Sequence, residues 1–182
     1  MDLFNEMKNI FESANAEFIK KNTRLFASQV SERTLCGALM LNLFEVMKKT
    51  KYQNYYPDLE YNRNGDAIKT IKDEQEQRIE ITCDLIVHSR GENSHQDNLI
   101  ALEMKKSTRL ETDKQKDRER LRSLTKDDIA GLYPVAGILP EDVCGYVLGI
   151  YYEIDFVQAQ ILIEYYYKGR KIETKTEKLF NL

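Results

Sequence analysis

Residues 81–107 carry two short apolar runs with three charges planted in them: I-T-C-D-L-I-V-H-S-R, a polar loop, then N-L-I-A-L-E-M-K-K-S. Runs this short, rich in β-branched residues and bounded by a polar loop, are predicted to be strands. A strand alternates its faces, so Glu103 and Lys105 point one way and Met104 the other. If the two runs form a hairpin across the loop Gly91–Asn98, counting places Asp84 opposite Lys105. Three charged groups then converge on one patch of an otherwise apolar sheet. Buried charges are costly unless they are paired or bound to a metal, which makes this patch the candidate site.

The rest of the chain supplies elements around that hairpin. Residues 2–22 place Leu3, Phe4, Met7, Ile10, Phe11, Ala14 and Phe18 at helical spacing. A second helix starts at Ser31-Glu32-Arg33, with Ser31 as its cap, and fades at Lys48-Lys49-Thr50. Tyr52–Pro57 is a connection, Asp58–Arg63 a short strand, and Asn64-Gly65 a turn. The polar segment 66–77 reads as a loop or short helix, and Arg78–Arg90 as the strand of Asp84. Leu99–Lys106 is the central strand. A charged helix spans 109–126, and residues 127–139 form a loop or short helix. Strands at Val143–Phe156 and Ala159–Tyr167 follow, with a turn at Gly169-Arg170. A strand, a helix and a further strand make a crossover unit. The expected fold is therefore a single α/β domain over residues 1–182, with N-terminal helices at 1–50 and a sheet core at 57–167. Its central β-sheet is mixed and flanked by helices.

Composition narrows the class. The 182 residues are 42% hydrophobic and 31% charged, ordinary for a soluble globular chain. Cysteines 36, 83 and 144 lack metal-site spacing and sit in apolar runs, as buried free thiols do in a reducing compartment. No stretch of about 18 apolar residues occurs, so a cytoplasmic protein without a membrane partner is expected. The net charge is −3, but nine Lys or Arg face four Asp or Glu between Met104 and Lys126. Such a basic segment suits a phosphate backbone, and equally a solvated helix face.

Two carboxylates and a lysine on adjacent strands suit hydrolysis of a phosphodiester. The carboxylates hold a hard cation such as Mg²⁺, or Mn²⁺ in its place. The metal activates water and stabilises charge on phosphate, and the lysine orients that water or offsets developing charge. Asp84 preceded by Cys83, Glu103-Met104-Lys105, the S-E-R opening at 31–33 and E-Y-N-R at 60–63 together resemble the PD-(D/E)xK nuclease superfamily. The likeness is to small bacterial members, and it covers roughly residues 30 to 150. Cys83 stands where that pattern has proline.

The resemblance implies a restriction-endonuclease-like core and a metal-dependent nuclease, an endonuclease in many of its members, acting on DNA. It implies Asp84 and Glu103 as metal ligands and Lys105 as the catalytic lysine. Glu32 or Glu60 is expected to complete the site, with Glu45 a competing candidate from the same helix as Glu32. Lys106, Arg118, Arg120 and Arg122 are expected to hold phosphates. Cutting two strands often takes two active sites, so a homodimer is expected. An alternative of a different class is a catalytically inert nucleic-acid or protein interaction module. A third is a purely structural ion pair between Glu103 and Lys105.

Overall fold

The computed structural model describes residues 2–64, 67–68, 70–72, 78–80, 82–93, 95–126 and 144–179. Helix α1 (Asp2–Lys21) leads into a short α2 (Thr23–Ala27) and then α3 (Glu32–Met47). Strand β1 (Tyr56–Leu59) follows. Two small antiparallel ribbons come next, β2 (Arg63–Asn64) with β3 (Ala67–Ile68), and β4 (Thr70–Lys72) with β5 (Arg78–Glu80). The remainder is β6 (Leu85–His88), β7 (Asn98–Lys106), α4 (Glu111–Leu124), β8 (Leu148–Asp155), β9 (Gln160–Tyr167) and β10 (Arg170–Lys178).

Six strands form one mixed sheet in the order β1-β6-β7-β8-β9-β10. Its β7–β8 pair is parallel, and the other neighbours are antiparallel. Helix α4 makes the crossover that the parallel pair requires. The fold is thus mixed α/β, with helices on both sheet faces. On one face, Phe4, Met7, Phe11, Phe18, Leu35, Leu39 and Leu43 of α1 and α3 bury against Leu85, Val87, Leu102 and Met104. On the other, Leu121 and Leu124 of α4 bury against Ile86, Ala101, Tyr151 and Tyr166. The alternation of β7 is visible here: Leu102 and Met104 serve the first layer, and Ala101 serves the second.

Several sequence expectations need correction. The first sheet strand covers Tyr56–Leu59, where Asp58–Arg63 was expected, because Glu60 adopts φ +47 and turns the chain out of the ladder. Pro57 is tolerated there because β1 is an edge strand. The Asp84 run is divided into β5 and β6, with Asp84 just ahead of β6. The described parts of 66–77 are strand pieces, and 127–143, which include the expected loop and the start of the Val143 strand, lie outside the described residues. Strand β10 was not anticipated. Its sequence, R-K-I-E-T-K-T-E-K, is almost wholly exposed and charged, as an edge strand protected against further pairing should be.

The hairpin register also differs. Leu85 pairs with Leu102 and Ile86 with Ala101, so the next step places Asp84 across from Glu103 and not from Lys105. The cause lies in the loop. The Asp97 carboxylate accepts hydrogen bonds from the backbone N–H groups of Ser89 (3.2 Å) and Gly91 (2.9 Å) and from the Ser89 hydroxyl. Ser89 is thereby drawn into the turn, and a bulge falls between Val87 and His88. Counting outward from a symmetric loop therefore misses the register.

Candidate active site

The site forms where β6 begins, beside the far end of β7 and beneath α4. Asp84 Oδ2 accepts the Met104 N–H at 2.8 Å, which ties its carboxyl to the central strand. Glu103, one residue earlier on β7, is only 1% exposed. Its Oε1 accepts from Arg120 Nη1 of α4 at 2.6 Å. Lys105 Nζ stands 2.9 Å from Asp117 Oδ2, and Asp117 Oδ1 is 3.3 Å from the same Arg120 nitrogen. Five charged groups thus gather: Glu103 and Lys105 from β7, Asp117 and Arg120 from α4, and Asp84 from just ahead of β6.

Burial and like charge leave the acids reluctant to ionise. Burial is the main reason that the Glu103 carboxyl is pushed up to about 8; Asp84 and Asp117 push the same way, while Arg120 opposes them. Burial also raises Asp84, against the Met104 N–H, the Lys105 charge and a hydrogen bond from the Glu103 carboxyl. Burial works to lower Lys105, but its ion pair with Asp117 and the charges of Asp84 and Glu103 outweigh this and raise it. Lys105 is therefore an ammonium at neutral pH, a cation and not a base. Burial likewise opposes the charge on Arg120, and Glu103 more than restores it.

The other sequence candidates have definite places. Glu32 follows the cap Ser31, whose Oγ accepts the Thr34 N–H at 3.2 Å. Glu32 Oε1 accepts the Lys106 N–H at 2.8 Å, and both its oxygens grip Arg109 at 3.0 Å. Glu60 pairs with Arg33 at 3.1 Å, and its N–H donates to the Asp84 carbonyl at 3.3 Å. Glu45 is exposed beside Lys48. Lys106 donates to the Gln29 carbonyl at 2.8 Å and lies over the Phe156 ring. Arg118 is 14% exposed and turned inward; it bonds Glu164 at 3.0 Å and Glu111 at 2.8 Å and covers the Tyr151 ring. Arg120 also turns inward, onto Glu103, while Arg122 is half-buried and its Nε has no hydrogen-bond partner among the described residues. His88 is buried against Asp58 at 3.0 Å and the Tyr61 ring.

Asp117 was missed as a site residue, although it occupies a stripe position with Lys114, Leu121 and Leu124. An acid in the buried stripe of a helix is the signal that could have found it, since such a group needs a partner beneath it.

Among the described residues, no group of three or more His, Cys, Asp or Glu side chains is arranged to hold a metal ion. A hard cation that keeps most of its waters needs only one or two carboxylates, and the adjoining Asp84 and Glu103 fit that donor set. Also among the described residues, no helix is long and apolar enough to cross a membrane. Scans against protein-family models, curated proteins and solved structures found no match to this chain.

Proposed function

We propose that the chain is a Mg²⁺- or Mn²⁺-dependent nuclease that hydrolyses phosphodiester bonds, with DNA as its substrate. The observation that carries the reading is the register that sets Asp84 across from Glu103 at a buried place in the sheet, with Lys105 on the same face of the same strand; burial disfavours the ionised form of both acids, and Lys105 is protonated. A divalent cation resolves that conflict, and it supplies an activated water and charge stabilisation at phosphate.

In this reading Asp84 and Glu103 hold the cation. The Met104 N–H fixes one Asp84 oxygen and leaves the other to act as a ligand. Lys105 offsets the negative charge that grows on the phosphate as water attacks, and it steadies the attacking water through its N–H groups. Asp117 orients Lys105, and Arg120, which lies on both Glu103 and Asp117, would keep its Asp117 contact were Glu103 to hold the cation. Glu32 and Glu60 act from outside this cluster, through the backbone of Lys106 and of Asp84.

A second reading has its own observation: Glu103 and Asp117 each have a cation within 3 Å, as a structural ion cluster would. Incubation of purified protein with plasmid DNA separates the two. Nicking or cutting is expected with Mg²⁺ or Mn²⁺, stops on adding EDTA, and disappears in Asp84→Asn and Lys105→Ala. Cutting that survives EDTA or Asp84→Asn would sink the proposal.

A further inference from the structure

The two acids expected from sequence to complete the site each hold an arginine at its rim. Glu32 is anchored on the Lys106 N–H, one residue past Lys105, and grips Arg109 with both oxygens. Glu60 is anchored through its own N–H on the Asp84 carbonyl, and its carboxylate takes Arg33 at 3.1 Å. The arginines come from different elements, Arg33 from the first turn of α3 and Arg109 from the turn between β7 and α4. Both are open to solvent, Arg33 at 74% and Arg109 at 56% side-chain exposure. By contrast, the α4 arginines 118 and 120 are 14% and 25% exposed and engaged with internal carboxylates.

We infer that Arg33 and Arg109 form a phosphate clamp that seats a nucleic-acid backbone across the Asp84–Glu103–Lys105 cluster. The inference deepens the nuclease reading by naming where the polymer is gripped, and it rests on that reading for the position of the chemistry. The physical grounds are four. A guanidinium exchanges a carboxylate for a phosphate with the same two-pronged geometry. Exposed ion pairs contribute little to stability, so Arg33 leaves Glu60 at little cost, and Arg109 trades the two-pronged hold of Glu32 for an equally two-pronged one on phosphate. The tethers set both arginines beside the cluster, Arg109 through Glu32 one residue past Lys105 and Arg33 through Glu60 at the Asp84 carbonyl, where phosphates of a strand bound at the acids would meet them. The start of α3, a 16-residue helix, adds the positive end of its dipole beside Arg33.

The test is the salt dependence of binding to a fluorescein-labelled DNA duplex, read by anisotropy with Ca²⁺ present and Mg²⁺ absent. For the double variant Arg33→Ala with Arg109→Ala, the slope of log affinity against log salt should fall by about two, one for each phosphate that is no longer neutralised. Affinity at low salt should fall about tenfold or more. Arg33→Lys with Arg109→Lys should keep the slope, because charge sets it. Lys21→Ala, which removes an equally exposed paired cation from α1, should also keep it. An unchanged slope in the double alanine variant, with wild type binding DNA, overturns the clamp.

Hydrolysis of bis(p-nitrophenyl) phosphate by the wild type is measured beside it. Hydrolysis without DNA binding removes the clamp and keeps the metal chemistry. Clamp-dependent binding without hydrolysis keeps the clamp and removes the nuclease reading. Neither binding nor hydrolysis overturns both.

Discussion

Replacing Glu103 by Gln tests whether the acid pair is held against its own charge. In the fold the Glu103 carboxyl sits at about 8, against an ordinary 4.5. Between those values the folded protein keeps a proton that the unfolded chain has released. Stability from this group is therefore complete below pH 4.5 and is lost as pH rises through 8. At about 1.36 kcal/mol per pH unit, the gap sets a ceiling of about 5 kcal/mol on the loss. Glutamine has nearly the same shape and cannot ionise, so the variant lacks this slope. The raised Asp84 tilts both proteins in the same direction, and its coupling to Glu103 widens the range expected for the difference. Arg120 loses its ion pair with Glu103 but keeps Asp117, which trims the gain. The expected result is near-equal stability at pH 5 and a variant more stable by about 1–4 kcal/mol at pH 9. For a chain of this size that is roughly 2–4 °C in Tm per kcal/mol. The assay is thermal melting in EDTA from pH 5 to 9, repeated with Mg²⁺ at pH 8. Mg²⁺ should raise the Tm of the wild type and leave that of Glu103→Gln unchanged. Parallel melting profiles across the pH range would refute the reasoning.

Two further substitutions separate chemistry from scaffolding. Lys105→Ala should abolish DNA cleavage and cost about 1–3 kcal/mol, less than the 3–5 of a fully broken buried pair, because Asp117 retains Arg120. Activity that persists in a protein with a lowered denaturation midpoint would make Lys105 structural. Gly149→Ala should destabilise by about 1–3 kcal/mol without touching the site. Its added Cβ would lie 2.9 Å from Thr125 Cγ2 and 3.0 Å from Tyr166 Cβ, where the end of α4 presses on β8. Chemical denaturation reads this cost, and an unchanged midpoint would mean that the packing there relaxes freely.

The site was legible where it depends on one strand. Glu103 and Lys105 share a face because strands alternate, and their charge stood out within an apolar run. The partner of Asp84 was not legible, since the register turns on a hydrogen-bonding choice by Asp97 within the loop. Asp117, and the inward place of Arg120 where a phosphate contact was expected, were hidden for another reason. On α4 they sit among K-D-R-E-R, where nearly every residue is charged, and only the docking of the helix selects those that face the sheet. Glu32 and Glu60 were expected through the resemblance, but their partners Arg109 and Arg33 depend on tertiary closure. Strand β10 escaped detection because an exposed edge carries no apolar alternation to read.

A structural ion cluster and a cation site differ in charge balance. Asp84, Glu103 and Asp117 bring three negative charges to Lys105 and Arg120, which bring two positive ones. The surplus is one negative charge on a sheet face lined by Ile86, Ala101, Leu121 and Tyr151. A cluster kept for stability gains nothing from the third acid, because buried charge beyond what is paired is a net cost. The fold meets that surplus by holding the Glu103 proton up to about pH 8. In the proposed reading a divalent cation in its place would turn one surplus negative charge into one surplus positive charge. That would be the complement of a single phosphodiester, which carries one negative charge, and it would account for three acids where two balance the pair of cations.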